Sequence, residues 1–334
     1  MGKNITLAHG SGGKLTRDLI EGVLLPKFRN AALEPLGDAA SLPFDGERLH
    51  FTTDSFVVKP LEFPGGDIGK LAVCGTINDL AVSGARPLWL SCGLIIEENL
   101  PLELLERILD SIAKTASEAG VSVVCGDTKV VERGGADGLF INTAGIGAPL
   151  ENFRQSAIQP GDKVIVNGTI GDHEAAIFRA REKLGRQMVL NSDCAPLHEL
   201  VASMVDAAGG GVRVMRDPTR GGVGAVLNEL ANGSKCSFTI QEDDIPIRNE
   251  VRGICELVGF DVMYLANEGK VVCVVSDGAA GAVLDAMRAH PLGRDAAIIG
   301  ELTDDTRERV YLASGFGGRR IVSLPTGGQL PRIC

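Results

Sequence analysis

Four aspartates in this chain share one kind of setting. Asp38 stands in Gly37-Asp38-Ala39-Ala40, Asp54 in Thr52-Thr53-Asp54-Ser55, Asp79 in Ile77-Asn78-Asp79-Leu80 and Asp127 in Cys125-Gly126-Asp127-Thr128-Lys129. Three of them follow an apolar strand or a glycine, where a carboxylate emerges at an element's end. Asp79 lies on a helix among apolar neighbours, where a charge needs a partner. Magnesium is a hard cation that takes oxygen ligands and shares them with phosphates, so such carboxylates suit a magnesium-nucleotide site. The same residues also cap helices and turns, and the spacing alone leaves both readings open.

Other segments supply complementary chemistry. The stretch from Gly10 to Lys14, through Gly12 and Gly13, resembles a phosphate cradle, its glycines freeing backbone N–H groups and Lys14 adding charge. It is neither a Walker A motif nor a dinucleotide fingerprint. Asp217-Pro218-Thr219-Arg220-Gly221-Gly222 precedes a helix, so an anion could rest at that helix N-terminus beside Arg220. Glu268, in Asn267-Glu268-Gly269-Lys270, is a candidate base or metal ligand or else a turn residue, and His173 a candidate acid or base or else a structural histidine. Cys334 closes the sequence after about a dozen residues beyond Val322, an arm whose extended reach is roughly 40 Å. Such an arm could swing a thiolate between two sites, Arg332 favouring the ionised form and the terminal carboxylate opposing it.

These residues need elements to carry them. Apolar periodicity predicts a helix from Leu15 to Leu25, stopped by Pro26, and another from Ile68 to Ser83 with Ile68, Leu71, Ala72, Ile77 and Leu80 on one side. A third opens after Pro101, repeats Leu105, Ile108, Leu109 and Ile112, and ends at Gly120. Strands are expected at 49–53, 88–96, 121–125 and 140–146. The turn Gln159-Pro160-Gly161-Asp162 precedes a strand from Lys163 to Asn167. Beyond it, helices at 198–207, 223–231 and 279–287 alternate with strands at 237–240 and 269–276. The organisation is therefore mixed α/β in two domains, 1–155 and 156–314. A tail, 315–334, follows, where Gly315, Gly317, Gly318, Pro325, Gly327, Gly328 and Pro331 break any regular element.

At 334 residues the chain exceeds one ordinary core, and its net charge of −10 argues against a nucleic-acid or membrane-surface binder. No apolar run is long enough to span a bilayer. The cysteines form no CxxC pair and mostly sit in apolar runs, as small buried hydrophobes of a reducing cytoplasm.

Taken together, His9-Gly10-Ser11-Gly12-Gly13-Lys14, Thr52-Thr53-Asp54-Ser55, Pro64-Gly65-Gly66-Asp67, Asn78-Asp79-Leu80-Ala81, Cys125-Gly126-Asp127-Thr128-Lys129, Asp217-Pro218-Thr219-Arg220-Gly221-Gly222, Asn267-Glu268-Gly269-Lys270 and the ending Pro331-Arg332-Ile333-Cys334 resemble the HypE family of hydrogenase maturation factors. The Asn-Asp-Leu-Ala and Asp-Pro-Thr-Arg-Gly-Gly motifs are shared with aminoimidazole ribonucleotide synthetase, selenophosphate synthetase and thiamine-monophosphate kinase. The resemblance implies a two-domain PurM-like fold. Its N-terminal domain would dimerise through strands that close a barrel-like core. It implies ATP in a cleft, with Gly12, Gly13, Lys14 and Asn78 nearby and magnesium held by Asp38, Asp54, Asp79 and Asp127. It also implies a reaction: a partner carbamoyltransferase loads Cys334, and ATP-dependent dehydration turns the carbamoyl group into a thiocyanate, whose cyanide passes to an iron-carrying scaffold for NiFe-hydrogenase assembly. Glu268 and His173 are then the candidates for proton transfer, and Lys129 and Arg220 for charge stabilisation. A selenophosphate synthetase would need a reactive cysteine near its start, whereas the first here, Cys74, lies in an apolar helix. A non-catalytic thiol carrier would have no use for the aspartates.

Overall fold

The computed structural model describes residues 4–6, 9, 18–34, 44–46, 48–182 and 188–324. Gly12, Gly13, Lys14, Asp38 and Cys334 therefore lie outside the described residues.

The N-terminal half is one four-stranded sheet backed by helices. Strand β1 (His50–Phe56) leads to helix α1 (Ile68–Val82), then to β2 (Ala85–Glu97), α2 (Leu102–Glu118), β3 (Ser122–Val131) and β4 (Leu139–Pro149). The strand order is β1-β4-β2-β3, with β2 and β3 parallel and the other pairs antiparallel. Asp67 starts α1 as its N-cap, accepting from the amides of Gly69 at 2.7 Å and Lys70 at 3.0 Å. Helix α1 is buried on nearly every side rather than along one stripe, because it runs between the sheet, α2 and helix 198–208 of the C-terminal half. By contrast α2 is amphipathic. Its Leu105, Ile108, Leu109 and Ile112 are buried, each contributing about 2 kcal/mol.

Pro26 does not end the first helix. The chain makes a π-helical turn over Ile20–Leu24, closed by the Leu25 amide on the Ile20 carbonyl, and continues as an α-helix through Leu25–Phe28. Pro26 falls in the first turn of that second piece, where its missing N–H costs nothing.

The C-terminal half is built on a seven-stranded sheet. In chain order come β5 (Lys163–Val166), α3 (Asp172–Glu182), α4 (His198–Ala208), β6 (Val212–Arg216), α5 (Gly222–Ala231), β7 (Ser237–Gln241), α6 (Asn249–Val258), β8 (Val272–Val275), α7 (Asp277–Ala289), β9 (Ala297–Thr303), β10 (Val310–Ala313) and β11 (Arg319–Val322). The spatial order is β11-β10-β7-β9-β5-β8-β6. β5 and β8 are valine-rich and buried on both faces. Ile165, Cys273 and Val275 pack under α4 and α7, while Val164, Val272 and Val274 pack on the opposite side with Val223 and Leu227 of α5. The glycines after Ser314 do not abolish regular structure. They make the turn of a hairpin that pairs β11 with β10.

Two strands run further than their apolar cores suggest. β1 continues to Phe56 and β3 to Val131, so Asp54 and Asp127 are mid-strand residues, not residues at strand ends. Backbone pairing carries the strands across the polar residues 52–55 and 126–129 to Phe56 and Val131. Among the described residues no helix is long and apolar enough to cross a membrane.

Candidate functional site

The sheet register decides which aspartates meet. Across the four strands, Asp54, Thr143, Cys92 and Gly126 form one row, and Ser55, Asn142, Gly93 and Asp127 the next. Adjacent rows point to opposite faces. Thr143 is buried against α1, its hydroxyl donating to the Ala72 carbonyl at 3.2 Å. Asp54 shares that face: a Cβ added at Gly75 of α1 would stand 3.9 Å from Asp54 Oδ2. Asp127 therefore points away from Asp54, into the open face, where its Oδ2 is 3.6 Å from Lys129 Nζ. β1 and β3 are also the two outer strands, about 14 Å apart. Asp54 and Asp127 therefore do not share one site within a single chain. A β-bulge between Leu90 and Ser91 shifts the β2–β3 pairing to Cys125 and leaves that cysteine exposed, unlike the other six described, which are buried.

Asp54 does meet Asp79. The Asp79 carboxylate accepts from Thr52 Oγ1 at 2.8 Å, which supplies the partner it needs on an apolar helix. Burial pushes its pKa up and Asp54 adds to the rise, while Thr52, Arg216 and Arg220 pull it down. Asp217, at the end of β6, joins them from the C-terminal half. Burial, then Asp79, and further off Asp54, raise it to about 7. Asp79, Thr52, Arg216 and Asp217 border a cleft of about 600 Å³ between the halves, with Arg48, His50 and Gln155 on its rim. Arg220 is exposed close by, in the loop whose Gly221 and Gly222 start α5.

Glu268 approaches the same carboxylates from the second half. It is 8% exposed. Burial first, then Cys194, Asp193, Asp217 and Asp54, push its carboxyl well above the usual range. His173 is fully buried behind this group. Its Nδ1 lies 2.8 Å from Ser192 Oγ and its ring stands edge-on to Phe63. Burial lowers its pKa to about 4, although Asp193 opposes this, so it is neutral at neutral pH and does not border the cleft. Asn78 is 2% exposed and committed to the fold. Its amide nitrogen donates to the carbonyls of Ala195 and Glu268 at 3.2 and 3.1 Å, and its oxygen accepts from the Leu197 amide at 2.8 Å. With both amide hydrogens spent on backbone, Asn78 holds the two halves together rather than offering a donor to a nucleotide.

Sequence reasoning missed the carboxylate of Asp217, together with Thr52, Arg216 and the buried pair Asp193–Lys270. Asp217 carried the same strand-end signal that singled out other aspartates, since it follows Val212-Arg213-Val214-Met215-Arg216. Nothing local marks Asp193. Among the described residues no three His, Cys, Asp or Glu side chains are placed to hold a metal ion.

The N-terminal domain of the AIR synthase related protein family matches residues 36–148 and its C-terminal domain residues 159–313. The carbamoyl dehydratase HypE of Rhizobium leguminosarum bv. viciae is 51% identical over 332 residues, 99% of this chain and 95% of that protein. The chain belongs to the HypE family of carbamoyl dehydratases. A crystal structure of the hydrogenase maturation protein HypE in complex with ATP superposes with a TM-score of 0.93 at 43% identity, covering 98% of this chain and 99% of that one. A HypE chain from a HypE–HypF complex superposes at 0.80 with 47% identity, covering 92% and 99%. The two-domain PurM-like architecture expected from the motifs is thus the observed one.

Proposed function

We propose that this enzyme uses ATP to dehydrate a carbamoyl group on Cys334, the last residue of the sequence, to a thiocyanate. The observation that carries this reading is the meeting of Asp54 and Asp79 from one half with Asp217, Glu268, Arg216 and Arg220 from the other. The related HypE crystallised with ATP supports the nucleotide.

The carboxylates are oxygen donors of the kind magnesium takes, although no three of the described ones are placed to hold the ion by themselves, so phosphate oxygens would have to share it. Asp54, Asp79 and Asp217 are hard oxygen ligands whose mutual repulsion and burial raise the pKa values of Asp79 and Asp217, a strain that a divalent cation relieves. When bound, the ion would offset phosphate charge. Asp38 would complete the set from outside the described residues.

The chain's own residues meet the demands of the reaction. A carbamoyl oxygen is a poor leaving group, and transfer of the terminal phosphoryl group to it makes a good one. Loss of both nitrogen protons then expels phosphate and leaves the nitrile on sulfur. Arg216 and Arg220 stabilise the transferred phosphoryl. Glu268, made more basic by burial and by its carboxylate neighbours, takes a nitrogen proton. His173 stays neutral beneath Asp193 and supports that segment. A carbamoyltransferase, as in the related HypE–HypF complex, would load Cys334, and an iron-carrying scaffold would accept the cyanide.

The open sheet face suits a second copy of the chain. It carries the apolar row Phe51, Ile146 and Trp89 and the pair Phe140 and Ile95, with Phe51 70% exposed. In a homodimer built on this face, Asp127 and Lys129 point toward the other protomer and not toward their own Asp54.

Intact-mass measurement of the carbamoyl-loaded protein tests the reaction. The adduct should map to residue 334 and lose one water only with Mg-ATP. Glu268→Gln should bind nucleotide and keep the carbamoyl adduct. An adduct indifferent to ATP, or full turnover in that variant, removes the proposal or the base respectively.

A further inference from the structure

The segment from Ser192 to Leu197 lies between the two halves. The Ser192 amide donates to the Pro64 carbonyl at 2.8 Å, and Asn78 grips Ala195 and Leu197. Asp193 is the acidic residue of this strap and is turned into the protein, its side chain 3% exposed. Its Oδ1 accepts from the Glu268 amide at 3.2 Å and its Oδ2 from the Gly269 amide at 3.2 Å. Lys270 Nζ, also buried, completes the set at 3.1 Å from Oδ2. The fit is close: a Cβ at Gly269 would stand 1.9 Å from the Asp193 carbonyl oxygen. Burial pushes the Asp193 carboxyl up, but Lys270 and the Glu268 amide outweigh it, and it stays ionised.

Three successive residues, 268 to 270, are thus held by one carboxylate, and the first bears the side chain assigned as base. We infer that Asp193 is a positioning residue for dehydration, gripping the backbone of Glu268 and Gly269 so that the Glu268 carboxyl faces Asp54 and Asp217. The inference rests on the reading of Glu268 as base. Asp193 belongs to a strap fastened to the first half, whereas Glu268 belongs to the second, so the grip sets the base in the frame of the aspartates rather than in that of its own strand. An amide oxygen can still accept from one backbone N–H, but an amide nitrogen cannot accept from the other.

The experiment uses the full chain, loaded on Cys334 by its carbamoyltransferase and mixed with excess Mg-ATP, with dehydration followed by intact mass in a single turnover. Asp193→Asn should lower the rate constant about 100-fold while the ATP concentration for half-maximal rate moves less than threefold, because geometry at the base is lost and nucleotide binding is not. Removing one partner of a buried ion pair also threatens folding. Asp193→Asn with Lys270→Gln therefore removes the charges together. Thermal stability should recover and the rate should not. A rate that recovers with stability would make Asp193 a structural counter-ion and overturn the inference. In a Glu268→Gln background, Asp193→Asn should cost nothing further, since it acts through that side chain. A full additional loss would also overturn it. If Glu268→Gln alone dehydrates at the unaltered rate, the assignment of the base fails, a result distinct from any failure of Asp193.

Discussion

Carboxyl groups crowd the junction of the halves, and their ionisation opposes folding. Asp217 titrates near 3.8 in an open chain and at about 7 in the fold, chiefly through burial and then Asp79. The fold favours its protonated form. That stabilisation is complete below the unfolded value and is lost as pH rises through the folded one. In metal-free protein, Asp217→Asn should match the parent's melting temperature at pH 4 and exceed it by about 4 °C at pH 8. Calorimetry at the two pH values checks this, and equal curves at both would mean that Asp217 is not crowded by Asp79. The resemblance places Asn78 near the nucleotide, while in the fold its donors are spent on the carbonyls of Ala195 and Glu268.

Elements bring such residues within reach, and their ends depend on backbone geometry. Helix α5 begins at Gly222 with φ +61°, and a Cβ there would lie 2.6 Å from the carbonyl oxygens of both Met263 and Leu265. Gly222→Ala should cost about 3 kcal/mol from strain and contact, measured by urea unfolding, and should displace Arg220 with the loop. A cost under about 0.5 kcal/mol would show that the loop adjusts freely. Strand β3 carries the opposite lesson. Its apolar start was legible from Val121 to Cys125, but the bulge near Val124 was not. One extra residue exchanges the faces of everything after it, and with them the direction of Asp127.

At the scale of the molecule, the open sheet face makes two demands at once. It leaves Phe51 and Ile95 exposed beside the partly buried Trp89 and Ile146, and it carries Asp127 away from Asp54. A second copy, as proposed, would satisfy both. Ile146→Asp should halve the mass found by light scattering, from twice the chain mass to the chain mass, and should lower ATP turnover more than tenfold by withdrawing Asp127 from the other protomer. A variant that remains a dimer would place the interface elsewhere.

The amino-acid order by itself determined the two-domain α/β plan, the core faces of α2, β5 and β8, and the segments around Asp54, Asp79 and Glu268, because period, punctuation and local motif are properties of neighbouring residues. The tertiary structure alone decided which of those residues meet. Asp79 received Thr52, Glu268 received Asp193, and Asp127 turned away. Each outcome depends on sheet register or on the packing of one half against the other, and these arise from contacts between residues far apart in the chain, which no local pattern encodes.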